Sequence, residues 1–338
     1  MEPFPHYSSL ENVCHKLLFK LSFYYEKFYG NPVRFSPPSG DADTVSETIY
    51  NLLISDKPCM IARYGSTELY CLSNYLSIKR NKHDYSGFIR FETEPWWWDA
   101  RRINNMRDYS GFFPLTEDSI TRFCEMMLKD TRELDILGSW LAKERYLSKE
   151  LESVQKVFLP YLEPYYSNQP WTRALRDKRV VVVHPFAELI EHQYSSVRER
   201  LFANPNILPP FSLRTVKAVQ SLGGGDGVGF DSWFDALQWM EHEIDKTDYD
   251  ICILGCGAYG FPLAAYVKRT GKKAIHMGGA TQLLFGIKGN RWEDPQYGVK
   301  EWGLPVGFYP TLFNEYWIKA GNEYKPNNAA QVEGACYW

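Results

Sequence analysis

A chain of 338 residues, 44% of them apolar and 23% charged, carries enough material to bury a core in one large domain or two small ones and is too apolar to stay disordered. Its 38 basic and 41 acidic residues leave a formal net charge of −3, so no global positive field draws nucleic acid, and small or neutral partners are expected. Seven scattered cysteines, odd in number and mostly in apolar runs, read as reduced thiols rather than a disulfide framework. No apolar stretch has the length to span a bilayer and the N-terminus lacks the order of a signal peptide, which points to the cytoplasm.

The first element in chain order is a helix over residues 10–29, with Lys16, Lys20 and Lys27 among Leu, Phe and Tyr. A basic amphipathic helix can rest on a membrane surface as a peripheral contact, but the apolar positions spread around this one, so packing on the domain is the expectation. Residues 31–43, rich in Pro, Gly and Ser, read as a linker. That sets 1–43 apart from a main domain of 44–325 and leaves 326–338 as a tail. The tail ends in Tyr337 and Trp338, and two large aromatics at a terminus are expected to dock, with Trp338 buried or covering the site.

Strand-like runs at 59–63, 134–140, 179–184, 214–220, 250–255 and 273–277 alternate with helix-like ones. The alternation argues for a Rossmann-like α/β fold, a mostly parallel six-stranded sheet with helices on both faces. Such sheets bind ligands beyond the carboxyl ends of their strands, so the residues just past each run are the candidates.

The first run delivers Arg63-Tyr64-Gly65-Ser66-Thr67-Glu68. Ser66 or Thr67 would cap the following helix with Glu68 in its first turn; the functional alternative puts Arg63 and Gly65 at a phosphate and Glu68 on a sugar hydroxyl, a metal ion or an acceptor proton. Residues 180–183, all Val, deliver His184, a general base, a hydrogen-bond donor to a diphosphate, or a histidine satisfied by a carbonyl. Glu188 lies one helical turn further on if a helix begins at Pro185.

The strongest signal lies at 249–292. A strand ends in Gly255-Cys256-Gly257-Ala258-Tyr259-Gly260, a helix follows, and a second strand opens into Gly278-Gly279. Such units hold phosphate where the turn meets the helix N-terminus, here at Gly255, Gly257 and Tyr259. A dinucleotide site would also need an acid at the end of the second strand, where His276, Met277 and Gly278 stand, so some other phosphorylated ligand is expected. Gly278, Gly279, Gln282, Lys288 and Arg291 then bring glycine, amide and cation into one loop, as a nucleoside diphosphate would require. Trp96-Trp97-Trp98 and Phe112-Phe113 read as core or as a stacking platform for a sugar acceptor.

At three of these places the chain resembles the glycosyltransferases of the GT-D fold, a family first described as a domain of unknown function. The family's Arg-Tyr-Gly-Asp-Gly-Glu strand end is here residues 63–68, its Ile-Val-Ile-Val-Glu-Gly strand is 180–185, and its late strand-glycine-helix-strand unit is 251–279. The resemblance implies a transferase that moves a sugar from a nucleotide-sugar co-substrate, usually UDP-linked, to a glycan or lipid-linked glycan acceptor in bacterial surface polysaccharide or glycoconjugate assembly, in the cytoplasm or at the inner face of the membrane. The family's Asp-x-Glu becomes Ser66-Thr67-Glu68, which leaves only Glu68 as a ligand for a divalent manganese or magnesium ion. His184 stands where the family has an acid and would neutralise diphosphate charge without a metal. On this reading the diphosphate lies between the 255–260 turn and Lys288 with Arg291, Arg63 assists, and Glu68 or Glu188 activates the acceptor hydroxyl. Two other classes compete: a dinucleotide- or SAM-dependent Rossmann enzyme, and a catalytically silent nucleotide-binding or scaffold protein.

Overall fold

The computed structural model describes residues 4–222, 228–325 and 336–338. Helix α1 (Ser9–Tyr29) opens on a capping box between Ser8 and Glu11 and packs through His15, Leu18 and Phe19 against Trp97 and Phe88. An extended stretch follows, and α2 (Ala42–Ile54) starts at Asp41, whose carboxylate accepts from Thr44 N at 2.9 Å.

The central sheet has seven strands, all parallel: β1 (Cys59–Ala62), β2 (Ile136–Ser139), β3 (Gln155–Phe158), β4 (Arg179–His184), β5 (Ser212–Lys217), β6 (Ile251–Leu254) and β7 (Lys273–His276). Their order across the sheet is β3-β2-β1-β7-β6-β4-β5. The central strands are apolar apart from their ends because both faces are covered, and the period of two divides their side chains between two cores. Met60, Ala62, Val181, Val183, Cys252 and Leu254 enter one; Cys59, Ile61, Val180, Val182, Ile251 and Ile253 enter the other.

The first core is closed by α3 (Ser66–Arg80), α5 (Ala100–Asp108), α6 (Glu117–Thr131), α8 (Trp233–Asp245) and α9 (Gly260–Arg269), after the short α4 (Tyr85–Ile89) has met α1. The second is closed by α2, by α7 (Ala187–Val197) and by the 3-10 segment Gly278–Phe285. This is a Rossmann-like α/β fold with helices on both faces. It has one strand more than the six expected: β3 is an edge strand with the mostly exposed sequence Gln-Lys-Val-Phe, which leaves no apolar run to read.

The aromatic clusters resolve as packing. Trp97 stacks on His15 at 4.1 Å between ring centroids, Trp98 donates Nε1–H to Glu117 at 3.1 Å, and Phe112 packs among Phe123, Trp233 and Phe234. Of the two readings, core or sugar platform, these contacts support packing, with rings turned to His15, His83, Phe88, Phe123, Trp233 and Phe234. All seven cysteines are free thiols, and six are buried. Among the described residues no helix is long and apolar enough to cross a membrane.

Candidate functional site

Six of the seven strands deliver residues to one cavity of about 430 Å³ at the carboxyl edge of the sheet. β1 supplies Arg63, Gly65 and Glu68, β2 Trp140, β4 His184, β5 Ser221, β6 Gly255, Gly257 and Tyr259, and β7 His276, Gly278 and Gly279; Gln282 and Arg291 complete the predicted residues that line it. Three helices begin at its wall: α3 beside Ser66 and Thr67, α7 beside Pro185 and Phe186, and α9 behind the Gly257–Tyr259 turn. Helix N-termini carry amide N–H groups without intrahelical partners and the positive end of the dipole. Of the three, α3 brings its first turn, Ser66, Thr67 and Glu68, into the cavity lining, while α7 and α9 reach its border with the residues just before them, and such helix starts favour an anion.

Glu68 is 7% exposed, and its Oε1 accepts from Ser110 Oγ at 2.6 Å. The N-cap of α3 is Gly65, not Ser66 or Thr67, because the Glu68 carboxylate folds back over the Gly65 Cα and occupies the place of a side chain. Ser66 and Thr67 are left facing the cavity. Ser110 carried no sequence signal, since it lies in the long segment between β1 and β2.

The Arg63 guanidinium lies over the Trp140 ring at 5.5 Å, with Nη1 donating to Tyr64 O at 2.9 Å and its buried Nε without a hydrogen-bond partner. Gly278, at φ +64°, admits it: a Cβ there would stand 2.9 Å from Arg63 Nη2. Trp140 ends a predicted strand run and was open to the strand-end rule that found its neighbours.

The two histidines are both neutral and hold opposite tautomers. Phe186 N–H donates to His184 Nδ1 at 3.0 Å, so the His184 proton is on Nε2; His276 Nδ1 lies 3.1 Å from Leu254 O and must carry its own. Burial pushes each pKa down to about 3, helped at His276 by the Arg63 charge. His184 is therefore a hydrogen-bond donor rather than a base, which corrects one of its expected roles.

Arg291 is held by the last described residues. Its backbone N donates to Cys336 O at 3.1 Å, Nη2 to Cys336 Sγ at 2.9 Å, and its guanidinium lies 4.7 Å from the Tyr337 ring centroid. Gln282 Nε2 donates to Ile287 O at 3.2 Å and Tyr337 O at 3.1 Å, so this amide fastens the wall instead of reaching for a ligand. Trp338 is 7% exposed, lines the cavity, and donates Nε1–H to Tyr324 O at 2.8 Å. Tyr259 stacks on Trp233 at 4.6 Å and shares a 2.8 Å hydrogen bond with Ser221.

Two predicted residues lie elsewhere. Helix α7 begins at Ala187 rather than Pro185, and Glu188 faces β5, paired with Lys217 at 2.9 Å; that pairing holds its carboxyl below the usual range. Lys288 belongs to a two-residue strand, β8 (Ile287–Lys288), parallel to β9 (Ile318–Lys319). Ile287 is buried and Lys288 points the other way, 3.4 Å from Glu293.

The described residues of the cavity do not by themselves hold a divalent ion. Among the described residues no three His, Cys, Asp or Glu side chains gather, and Glu68 stands with a serine. Compared with family models, curated proteins and solved structures, the chain matches none.

Proposed function

We propose that this protein is a nucleotide-sugar-dependent glycosyltransferase whose donor diphosphate occupies the 430 Å³ cavity. The observation that carries the reading is convergence: three helix N-termini and the guanidinium groups of Arg63 and Arg291 border one space, and Glu68 is the one carboxylate among the described residues lining it. Cations and amide dipoles suit a diphosphate, and they also suit the charge that grows on it as the glycosidic bond breaks. His184 Nε2–H adds a neutral donor. Glu68 is the base that would take the acceptor hydroxyl proton, with the Ser110 hydrogen bond orienting it. A sugar as the transferred group is supported by the strand-end resemblance to GT-D transferases at 63–68. At the end of β7 the His276 ring packs on Gly260, where a dinucleotide site would hold an acid, so NAD and SAM fit less well.

The test is a panel of UDP-, GDP- and CMP-sugars, read by thermal shift and by slow donor hydrolysis. At least one is expected to stabilise the protein. Glu68→Gln is expected to retain that shift and to lower turnover by about 100-fold or more. No stabilisation and no hydrolysis by any member would end the proposal.

A further inference from the structure

Helix α1 turns one face to the domain and leaves the opposite face bare. Of the fourteen exposed large apolar side chains among the described residues, eight lie on this helix of 21 residues. Leu10, Val13, Leu17, Leu21, Tyr24 and Phe28 recur at intervals of three and four, so they form one continuous stripe. Leu10 is 73% exposed and Phe28 76%. The face that does pack is the other one, where Leu18 and Ser22 are buried and His15 and Phe19 meet Trp97. In sequence, apolar residues are spread all around this helix. The structure separates them into a docked set and an exposed set.

Charge decides what covers the stripe. At about 100° per residue, Lys16, Lys20 and Lys27 all fall along the same border of it, and all three are exposed. The acids of the helix, Glu11 and Glu26, lie away from that border, toward the domain side. A second copy of the helix, laid antiparallel along the stripe, would bring lysine against lysine. An anionic bilayer meets both needs: its acyl boundary accepts the apolar stripe and its headgroups accept the ammonium groups.

We propose that α1 is an interfacial helix that seats this protein on an anionic lipid surface, with the stripe buried at the headgroup boundary. The inference stands apart from what the cavity binds. The helix also roofs a second cavity, of about 790 Å³, that shares Tyr70 and Arg102 with the first, so the docked surface adjoins the candidate site.

The experiment is flotation of the full chain with vesicles of phosphatidylcholine alone and with about one third phosphatidylglycerol. Binding to the anionic vesicles is expected, and it should fall about tenfold or more in Leu17→Glu, in the triple variant Lys16→Glu/Lys20→Glu/Lys27→Glu, and at high salt. None of these residues lines the first cavity, so the thermal midpoint and any nucleotide-induced shift should stay as in the parent and report that the fold is intact. Failure of the folded protein to float with anionic vesicles overturns the proposal. So does a concentration-dependent dimer, by light scattering, that Leu17→Glu abolishes without any vesicle binding in the parent; that result would assign the stripe to a second copy.

Discussion

Gly257 and Gly278 share a left-handed backbone, with φ +57° and +64°, yet they meet different surroundings. Alanine at either position carries about 1 kcal/mol or more of backbone strain. At Gly257 a methyl would meet nothing within 4 Å, so strain is the whole cost to folding, and the added group would intrude only on a bound ligand. At Gly278 it would press on the Arg63 guanidinium, which is held between Trp140 and Tyr64 O. Gly278→Ala should therefore lose more stability than Gly257→Ala, measured by urea unfolding, and should weaken nucleotide binding by displacing Arg63. Equal stability losses would show that Arg63 moves aside freely. The same pair marks the limit of reading glycine in a sequence. The clustered glycines announced close approach, but at Gly255, Gly260, Gly278 and Gly279 the approaching groups are His184, His276, Arg63 and Tyr337 of the chain itself.

At the scale of elements, the strand-end rule located Arg63, His184, the 255–260 turn and Gly278-Gly279, because a parallel sheet brings those ends to one edge wherever its strands lie in sequence. It failed where direction depended on local register. Lys288 is turned outward by the pairing of β8 with β9, and the partner strand lies thirty residues on, with no apolar run to announce it. Glu188 is turned toward Lys217 because α7 begins two residues later than Pro185. The first is a half-buried pair with Glu293 and the second an exposed pair, neither lines the cavity, and such solvent-reached pairs contribute little. Glu188→Gln and Lys288→Ala should accordingly leave nucleotide affinity within about twofold of the parent. A tenfold loss in either, by calorimetry, would mean that the cavity borders are drawn wrongly.

For the whole molecule, the strand ends that build the cavity also set how folding responds to acid. His184 and His276 are 3% and 2% exposed, and each has a pKa of about 3 in the fold. An unfolded histidine titrates near 6.5, so below about that pH the unfolded chain takes up protons that the folded one refuses. A depressed pKa of this kind contributes stability that is complete above the unfolded value and is lost as pH falls toward the folded one. The loss is about 1.4 kcal/mol per pH unit for each histidine. His184→Asn offers a side-chain oxygen to Phe186 N–H, where His184 Nδ1 now accepts, and removes one titrating ring. That variant should be less stable than the parent near pH 7 but should close the gap by about 1.4 kcal/mol for each unit of acidification between about pH 6 and pH 4.5. Carboxylates that titrate in the same range are common to both proteins and cancel in the difference. Urea unfolding at several pH values gives the gap directly. A constant gap would mean that His184 takes up its proton in the fold as readily as in the unfolded chain, and the neutral donor assigned to the cavity would then be lost below about pH 6.5.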